Sequence, residues 1–405
     1  MTPWLDDGDV RLYHGDCLDV LRELPDGSVD CIATSPPYWG LRDYGSDGQI
    51  GLEESPALYV ERLVGVFREC RRVLADHGTC WVNLGDSYNS GASGGLDGST
   101  LGGGKDNQRA SNRHGRGMVA SLKPKDLVGI PWRVAFALQD DGWWLRSDII
   151  WAKPNPMPES VTDRPTKSHE YVFLLAKQPR YFFDQEAVRE PYRYDGRNVL
   201  EREAGPGSHD NHRNGKRSRW PGISAAAAAA ARRDVLDGGA IESEPMDVNH
   251  GGRNVRSVWE IATQPYPGAH FATFPQELVR RMIVAGCPER VCRECGQPSE
   301  RQIDVTYDNP GNRTTNGPRS LEQRHEAPGF GQRLEKRVET VGWSDCGHDA
   351  WRPGTVLDPF MGSGTTALVA RNHGRHSVGI ELNEDYCRIA ADRLSQLSLL
   401  TGDAA

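Results

Sequence analysis

The sequence predicts an α/β fold, in which a doubly wound, mostly parallel sheet carries helices on both faces. Short apolar runs typical of buried strands alternate along the 405 residues with longer segments of helical apolar spacing, which is the pattern of such sheets. Two predicted strands end abruptly, one in the proline pair 36–37 and one in the glycine-containing turn 359–364. Because open α/β sheets bind ligands at the carboxyl ends of their strands, both turns are candidate functional sites.

The N-terminal half supplies most of the predicted sheet. In chain order we predict a strand from Val10, a helix over Cys17–Leu24, a strand over Val29–Thr34, a helix over 56–75, a strand over Thr79–Leu84, a helix near 126–139 and strands over Asp148–Ala152 and Tyr171–Ala176. Residues 89–119 interrupt the alternation with Gly, Ser, Asn and basic residues. Such a segment buries too little apolar surface to offset the entropy lost on ordering, so we predict a mobile loop.

The C-terminal half completes the sheet and contains two insertions. We predict an amphipathic helix over Phe274–Ala285, a strand over Val356–Asp358, a helix over 365–373, a strand over Ser377–Glu381 and a final helix. The stretch 186–257 is polar and charge-dense, and the stretch 287–352 contains cysteines. The predicted organisation is a first half over 1–185, an insertion over 186–257, a second half over 258–286 and 353–405, and an insertion over 287–352.

Composition excludes some classes of protein. No apolar run reaches the roughly 18 residues that a membrane helix needs, and the N-terminus lacks the charged and apolar regions of a signal peptide, so a cytoplasmic protein is expected. The formal net charge of −8 argues weakly against a polyanionic partner, although a cleft can be basic in an acidic protein. Nine cysteines without an export signal disfavour a disulfide framework.

The glycine-containing turn runs from Asp358 through Pro-Phe-Met-Gly-Ser-Gly-Thr-Thr into a predicted helix. Gly362 and Gly364 allow a tight turn that brings helix amides close to a ligand. A dehydrogenase fingerprint needs a third glycine where Ala367 stands, and Gly-x-Gly alone also occurs in ordinary βα turns. Glu381 ends the next strand, where an acidic residue binds ribose hydroxyls. With Asp358 before the turn and Glu381 after it, S-adenosylmethionine is the favoured ligand.

A second turn, Thr34-Ser-Pro-Pro-Tyr-Trp, lies at the end of a buried strand. Its prolines fix φ and donate no hydrogen bonds, so their carbonyls form rigid acceptors suited to an exocyclic amino group. Tyr38 offers a π face to a base removed from its stack. Taken alone, this segment is equally compatible with a proline-rich strand-to-loop turn, and the glycine turn in the same sheet favours the functional interpretation.

Together these motifs resemble the amino-methylating DNA methyltransferases, specifically the permuted β group, in which the catalytic motif comes first and the cofactor loop last. The resemblance spans most of 9–190 and 255–396. Matching blocks are Gly15-Asp16-Cys17, Thr34–Tyr38, Trp151-Ala-Lys-Pro-Asn, Lys167-Ser-His-Glu-Tyr-Val-Phe, Ser257-Val-Trp-Glu-Ile, His270-Phe-Ala-Thr-Phe-Pro, Asp358–Thr366 and Gly379-Ile-Glu381. The resemblance implies a seven-stranded, circularly permuted, Rossmann-like sheet, with 186–257 as the target recognition region between the catalytic and cofactor-binding halves.

The resemblance also implies roles for individual residues. S-adenosylmethionine is expected to contact Asp16 at its adenine and Glu381 at its ribose. Phe360, Gly362 and Gly364 are expected on its methionine side and Thr365 and Thr366 at the helix start, with Thr34, Asp358 and Pro359 completing the cofactor set and the segment around Phe274 closing over it. Ser35, Pro36, Pro37 and Tyr38 are expected to hold the flipped base.

The target atom follows from the same resemblance. Members with Ser-Pro-Pro-Tyr usually methylate N4 of cytosine, whereas Asp-Pro-Pro-Tyr usually marks N6 of adenine. The neutral Ser35 fits cytosine, because its hydroxyl can donate to N3 while a carbonyl accepts from N4; adenine is the alternative. We expect direct methyl transfer that depends on proximity and orientation, since the turn holds no cysteine to act as a covalent nucleophile.

Two Cys/His pairs flank the second insertion. Cys292-x-x-Cys295 and Cys346-x-His348 offer four ligands suited to a closed, structural, tetrahedral Zn²⁺ site. The two pairs are far apart in the chain, but a metal can hold the base of an inserted loop. Cys287 is an alternative to His348 as the fourth ligand, and unrelated reduced cysteines are the alternative to a metal site.

The first insertion contains a basic stretch that ends beside Trp220. Its cations are Arg213, Lys216, Arg217 and Arg219, with no acid between them. Such a stretch is typical of phosphate binding, although a charge run is more often a solvated face. Its position in the recognition region favours contact with double-stranded DNA.

The sequence thus predicts a DNA amino-methyltransferase without a membrane partner, acting as a monomer or homodimer, either alone or beside a separate restriction endonuclease. An RNA or protein amide methyltransferase is a second enzymatic hypothesis, which the two insertions disfavour. A DNA-binding protein with a decayed catalytic site is the non-enzymatic alternative, which the intact motifs disfavour.

Overall fold

The computed structural model describes residues 1–41, 45, 48–89, 122–191, 252–264, 274–308 and 335–401. The strands in them are β1 (Leu5–Asp6), β2 (Val10–His14), β3 (Val29–Thr34), β4 (Leu74–Leu84), β5 (Trp144–Ala152), β6 (His169–Ala176), β7 (Val258–Glu260), β8 (Arg290–Cys292), β9 (Arg301–Asp308), β10 (Glu335–Trp343), β11 (Trp351–Pro353), β12 (Thr355–Asp358) and β13 (His376–Glu381). The helices are α1 (Cys17–Glu23), α2 (Pro56–Val73), α3 (Ile130–Asp140), α4 (Gln276–Gly286), α5 (Thr365–Asn372) and α6 (Glu384–Thr401), with a 3₁₀ turn at Glu186–Val188.

One nine-stranded sheet organises the fold, in the order β1-β2-β13-β12-β3-β4-β6-β5-β7. The strands from β2 through β13, β12 and β3 to β4 are parallel to one another, whereas β6 runs antiparallel to both β4 and β5. The predicted mostly parallel α/β sheet is therefore confirmed. The expected count of seven strands is wrong, because β1 and β7 add 2 and 3 residues at the two edges. Strands this short show no alternation that a sequence pattern could reveal.

The predicted elements match the observed ones closely, and local chemistry explains their bounds. The strand β3 covers the predicted residues, and α1 begins at Cys17 because Asp16 caps it, with Asp16 Oδ1 accepting from Leu18 N at 2.8 Å. The helix α3 begins at Ile130 rather than near 126. Gly129, in the left-handed region, precedes it, and a proline occupies its first turn, as is common at helix starts.

Side chains of alternate residues in the central strands belong to two apolar clusters, one on each face of the sheet. Ile32 of β3 belongs to the cluster that receives α1, α2 and α3, whereas its neighbours Cys31 and Ala33 belong to the cluster that receives α4 and α5. Trp81 of β4 lies in the second cluster and is 1% exposed. Each large apolar side chain buried in this way contributes about 2 kcal/mol, so these two layers hold the sheet between its helices.

A buried ion pair joins the base of β3 to β11. Arg352 donates to Asp30 Oδ2 at 2.6 Å and to Oδ1 at 3.1 Å, and Thr355 N donates to Oδ2 at 2.8 Å. Burial alone raises the pKa of Asp30, but hydrogen bonds and charges from His77 and Arg352 outweigh it and lower that pKa. The start of β3 is therefore fixed by a charged carboxylate whose partners lie on neighbouring elements.

The chain divides into two compact units. The first contains Met1–Arg189, Asn254–Asp304 and Thr340–Ala405, and the second contains Glu190–Arg253 and Val305–Glu339. In the second unit, Glu190 and Arg253 pair through backbone hydrogen bonds and an ion pair of 2.9 Å. Within the described ranges, no helix combines the length and apolarity needed to cross a bilayer. Residues 90–119 of the predicted mobile loop lie outside the described residues.

Candidate active site

The strand order brings both predicted functional turns to the same end of the sheet, where the strands have their carboxyl ends. We call residues 34–39 the Ser35 turn. The Ser35 turn follows β3 and the glycine loop, residues 359–364, follows β12, and these two strands are parallel neighbours. Thr34 Oγ1 donates to Asp358 Oδ1 at 2.6 Å, and Thr366 Oγ1 lies 3.2 Å from Ala33 O. The two turns are therefore joined directly by a buried hydrogen bond at the carboxyl ends of their strands.

Glycine is required at two positions of the glycine loop. Gly362 and Gly364 have φ of +53° and +79°, in the left-handed region that favours glycine. A Cβ on Gly364 would also lie 3.1 Å from Ala390 Cβ and 3.3 Å from Met361 Cε. The loop thus turns tightly between β12 and α5, and its backbone amides lie at the start of a helix, where anionic and polar ligand groups bind.

Asp358 lies beneath this loop and organises it. The side chain is 1% exposed; Oδ1 accepts from Thr34 Oγ1 and from Phe360 N at 3.1 Å, and Oδ2 accepts from Thr366 Oγ1 at 2.7 Å. Burial raises the pKa of Asp358 in spite of these three hydrogen bonds. Asp358, expected in the cofactor set, therefore has both oxygens occupied by the protein itself and acts on the shape of the loop.

Two further carboxylates meet at the ends of β2 and β13. Glu381 Oε2 accepts from Gly362 N and Oε1 accepts from Asn383 N, both at 2.8 Å. Burial raises the pKa of Glu381. Gly15 N donates to Glu381 O at 2.9 Å, which places Asp16, the next residue, beside the end of β13. A carboxylate at the loop and another on the adjacent strand suit the hydroxyl and amine groups of a nucleoside.

The other predicted cofactor residues surround the loop at different depths. Pro359 is buried, Phe360 is half-buried and packs against the first apolar cluster, and Phe274 is half-buried against the second. Thr365 is buried, and its Oγ1 accepts from Arg393 at 3.0 Å. The hydroxyls of Thr365 and Thr366 are thus engaged within the protein, which indicates that they stabilise the loop and the helix start.

The Ser35 turn is fixed by two tyrosines. Pro36 is buried, Ser35, Pro37 and Tyr38 are half-buried, and Tyr59 Oη donates to Pro37 O at 2.8 Å. The Tyr38 ring packs against the Gly85 backbone so closely that a Cβ on Gly85 would lie 2.5 Å from Tyr38 Cε2. Gly85 is therefore the surface against which the Tyr38 ring is set.

Three polar residues that the sequence analysis did not single out complete this site. Tyr38 Oη lies 2.7 Å from Glu170 Oε2 and 3.0 Å from Asn83 Oδ1, and Ser35 Oγ lies 3.3 Å from Asn83 Oδ1. Lys153 forms an ion pair with Glu170. Burial and the charge of Glu170 raise the pKa of Tyr38 well above its ordinary value, so its hydroxyl is a neutral donor. Lys153 and Glu170 lie in blocks that match the family, but their proximity to Asn83 depends on the pairing of β6 with β4 and with β5.

The four predicted metal ligands also come together. One donor atom from each of Cys292, Cys295, Cys346 and His348 lies within 4.8 Å of every other. Cys295 N and Glu294 N donate to Cys292 Sγ at 3.5 and 3.4 Å, and these bonds, together with the side chains of Cys295 and Cys346, lower the pKa of the Cys292 thiol to about 6. The fourth member of this group is His348, as the sequence predicted.

Cys287, the other candidate for the fourth ligand, lies elsewhere. Its side chain is fully buried in the second apolar cluster, and burial raises its pKa. The basic stretch Arg213, Lys216, Arg217 and Arg219 falls outside the described residues.

Comparison with known proteins gives consistent matches. A family model described as DNA methylase, of the N6/N4 methyltransferase type, matches residues 29–291 and 352–392. The chain is 40% identical over 394 residues to the Type II methyltransferase M.Cfr9I of Citrobacter freundii, covering 95% of this chain and 87% of that protein. It is 39% identical over 392 residues to the Type II methyltransferase M.XycI of Xanthomonas campestris pv. cyanopsidis, with the same coverage of 95% and 87%.

One solved structure and the bounds of the family match add detail. The PvuII DNA methyltransferase, described as cytosine-N4-specific, is alike in fold, with a TM-score of 0.50 and 14% identity over 100% of this chain and 96% of that chain. The family match stops at residue 291 and resumes at 352. The four residues of the Cys/His cluster all lie in the interval that the family model does not match.

Proposed function

Because the chain belongs to the family of N6/N4 DNA methylases, we propose that it methylates the exocyclic N4 of cytosine in double-stranded DNA. The enzyme is an S-adenosylmethionine-dependent DNA methyltransferase. The choice of cytosine rests on the hydroxyl of Ser35. This group is neutral, and it stands at the position of the Ser35 turn where an acidic residue would favour adenine. This hydroxyl lies 3.3 Å from Asn83 Oδ1 and is half-buried in the turn.

The residues present fit S-adenosylmethionine. The positive φ of Gly362 and Gly364 keeps the loop close to the end of the sheet, and Glu381 and Asp16 offer carboxylates at the ends of two adjacent strands. We propose that Glu381 binds the ribose and Asp16 the adenine amine, and that the glycine loop lines the methionine end of the cofactor. When bound, the cofactor supplies a methyl group on a sulfonium sulfur. Thr34, Asp358, Pro359, Phe360, Thr365, Thr366 and Phe274 shape and close this site.

The catalytic turn holds and orients the base. The Pro36 and Pro37 pair keeps the backbone rigid, and the Tyr38 ring, set against Gly85, faces the base. Ser35 contacts the amino group or its neighbour on the ring. Proximity and orientation account for catalysis, because the turn contains no group that forms a covalent bond to the base.

The chain order is that of a circularly permuted methyltransferase. The strand that carries the Ser35 turn comes before the strand that carries the glycine loop, although the two are neighbours in the sheet. We assign catalysis to 1–185, cofactor binding to 258–286 and 353–405, and target recognition to 186–257. Arg213, Lys216, Arg217 and Arg219 would contact DNA phosphates in that region.

The biological setting follows from the relatives named Type II methyltransferases. We propose that this enzyme is the methylation half of a restriction–modification system, acts in the cytoplasm as a monomer or homodimer, and works separately from its endonuclease. Methylation of adenine N6 by the same site is the alternative function, since the family includes both reactions.

A single experiment tests the proposed function. The purified full chain is incubated with S-adenosylmethionine carrying a labelled methyl group and with unmethylated genomic DNA, and the labelled nucleoside is identified by mass spectrometry. We expect N4-methylcytosine. Label in N6-methyladenine would overturn the choice of base, and label in added RNA or protein but not in DNA would overturn the choice of substrate.

The Cys/His cluster is proposed to hold a structural Zn²⁺ ion. A tetrahedral zinc with bonds of about 2.3 Å places its ligand atoms about 3.8 Å apart, which the 4.8 Å limit on this group accommodates. Cys292 ends β8, which pairs with β11 in a register that sets Cys292 opposite Trp351. The ion would therefore stabilise this two-stranded sheet at the base of the insertion. Four protein ligands leave no open position, which indicates a structural ion.

Metal analysis tests this site. We expect about one zinc per purified chain, and chelation should lower the Tm. Cys346→Ser and His348→Ala should each lose most of the zinc, whereas Cys287→Ala, outside the cluster, should keep it. A metal-free wild-type chain whose Tm is unmoved by chelators would show that the cysteines are only reduced thiols.

A further inference from the structure

Glu170, at the start of β6, extends its carboxylate to the Ser35 turn. Oε2 accepts from Tyr38 Oη at 2.7 Å and from Asn83 Nδ2 at 3.2 Å, while Oε1 forms an ion pair with Lys153 Nζ. The side chains of Glu170 and Lys153 are only 17% and 18% exposed. A carboxylate with this burial and with both oxygens engaged is held in one orientation by charge-assisted hydrogen bonds.

This carboxylate fixes which way the Asn83 amide faces. The Asn83 NH₂ group donates to Glu170 Oε2 at 3.2 Å and to Tyr171 O at 3.1 Å, and both of these oxygens are acceptors. The amide oxygen is therefore directed to the other side, where Ser35 Oγ lies at 3.3 Å. Since an amide oxygen carries no hydrogen, the hydrogen of that bond comes from Ser35.

Glu170 also decides where the Tyr38 proton lies. The phenol has one proton and two acceptors in reach, Glu170 Oε2 at 2.7 Å and Asn83 Oδ1 at 3.0 Å. A carboxylate forms the shorter and stronger bond, so the proton is directed to Glu170. Asn83 Oδ1 is then left to receive the hydrogen of Ser35. Without Glu170, Tyr38 would donate to the same oxygen, and the bond that Asn83 Oδ1 forms with Ser35 would be weaker because the oxygen would then serve two donors.

We propose that Glu170 is a positioning residue that makes Ser35 Oγ a hydrogen-bond acceptor for the amino group of the target base. With its own hydrogen committed to Asn83, Ser35 presents lone pairs to the base and receives one of the amino hydrogens. In this role Ser35 accepts a hydrogen from the amine instead of donating to the ring nitrogen N3, the bond that the sequence analysis expected. Because it presupposes an exocyclic amine as the substrate group, it rests on the proposed function.

Steady-state kinetics with labelled S-adenosylmethionine and unmethylated DNA test this role. Glu170→Met with Lys153→Met removes both charges together and leaves no unpaired buried ammonium. We expect kcat to fall about 10²-fold, the cost of a catalytic group misplaced by about 1 Å, with the cofactor KM and the Tm close to those of wild type. Glu170→Gln, also combined with Lys153→Met, keeps an acceptor oxygen for Tyr38 and Asn83 and should recover most of the rate. Glu260→Met, on the exposed edge strand β7, is the control and should match wild type.

The decisive comparison repeats the double substitution in a Ser35→Ala background, where it should lower kcat no further. An equal further loss there, or a Gln variant no better than the double Met variant, would show that Glu170 does not act through Ser35. Absence of label from DNA with the wild-type enzyme would overturn the proposed function and this role together. Additive losses in an active enzyme would overturn this role alone, and the coupling to Ser35 can be read whether the labelled base is cytosine or adenine.

Discussion

The Ser35 turn and the glycine loop lie at one edge of the sheet, yet they are fixed in different ways. The glycine loop is held largely by groups close to it in the chain. Asp358 accepts from Phe360 N two residues on and from Thr366 Oγ1 eight residues on. The loop therefore keeps its shape through local hydrogen bonds and through glycines with positive φ.

The Ser35 turn depends instead on residues that are remote in the chain. Tyr38 meets Asn83 from 45 residues away and Glu170 from 132 residues away, and both reach it because β4 and β6 follow β3 in the sheet. The difference teaches that the glycine loop is held mostly by residues of its own part of the chain, with one remote hydrogen bond from Thr34, whereas the Ser35 turn is assembled by the sheet. A change beneath the loop should therefore damage folding and cofactor binding, and a change behind the turn should damage kcat.

Asp358→Ala should have the largest effect. It leaves Thr34 Oγ1, Thr366 Oγ1 and Phe360 N without their buried acceptor, and we expect a loss of about 3 kcal/mol of unfolding free energy together with most of the cofactor affinity. Chemical denaturation and calorimetric titration with S-adenosylmethionine measure both. Asp140→Ala, at the exposed end of α3, is the matched control. Tight cofactor binding by Asp358→Ala would show that the loop does not need this acceptor.

Gly85→Ala should affect the turn and spare the loop. The new Cβ would lie 2.5 Å from the Tyr38 ring, so the ring must move, and we expect kcat to fall roughly tenfold to a hundredfold with little change in cofactor affinity. The control is Gly65→Ala in α2, where a Cβ meets nothing within 4 Å; it should raise stability by about 0.5–1 kcal/mol and leave kcat unchanged. A Gly85→Ala enzyme with full kcat would mean that the position of the Tyr38 ring is unimportant.

The smallest expected effect concerns pH. The contributions of two buried carboxylates to the free energy of unfolding should change with pH in opposite directions. The pKa of Asp358 is raised by burial, so its contribution to stability is present at low pH and declines as the pH rises above the ordinary value near 3.8. The pKa of Asp30 is lowered, against the effect of burial, by His77 and Arg352, so its contribution is present above that value and declines as the pH falls.

Denaturant unfolding of wild type, Asp358→Asn and Asp30→Asn across pH 3 to 6 measures this contrast. The stability advantage of wild type over Asp358→Asn should shrink as pH rises, and its advantage over Asp30→Asn should grow. If the stability advantage of wild type changed with pH in the same direction for both variants, the assignment of opposite pKa shifts to these carboxylates would be wrong.

The same contrast explains what could be predicted from the sequence. The glycine loop, with Glu381 at the end of the next strand, and the strand Val29–Thr34 were predictable because the residues that define them are neighbours in the chain. The metal cluster was predictable for the same reason, since each pair of ligands is spaced locally. Local spacing therefore located the cofactor loop and the Cys/His cluster.

The roles of Asn83, Lys153 and Glu170 could not be predicted in this way. An apolar strand pattern does not reveal strand direction, and the antiparallel pairing of β6 with β4 and β5 is what brings these side chains together. The occupied carboxylate of Asp358 is a similar case, because Thr34 is 324 residues away in the chain. These roles were not predicted because they depend on contacts between residues that are remote in the chain.

The pairing of β2 with β13 has a consequence for biosynthesis. Residues 10–14 leave the ribosome long before residues 376–381, which are their parallel partners, and β3 likewise awaits β12. The catalytic half can collapse early around β3, β4 and β6, whereas the nucleoside end of the site forms only after the late strands are translated. A nascent chain therefore has its Ser35 turn before it has its glycine loop, and under the proposed function it can transfer a methyl group only after the whole sheet has formed.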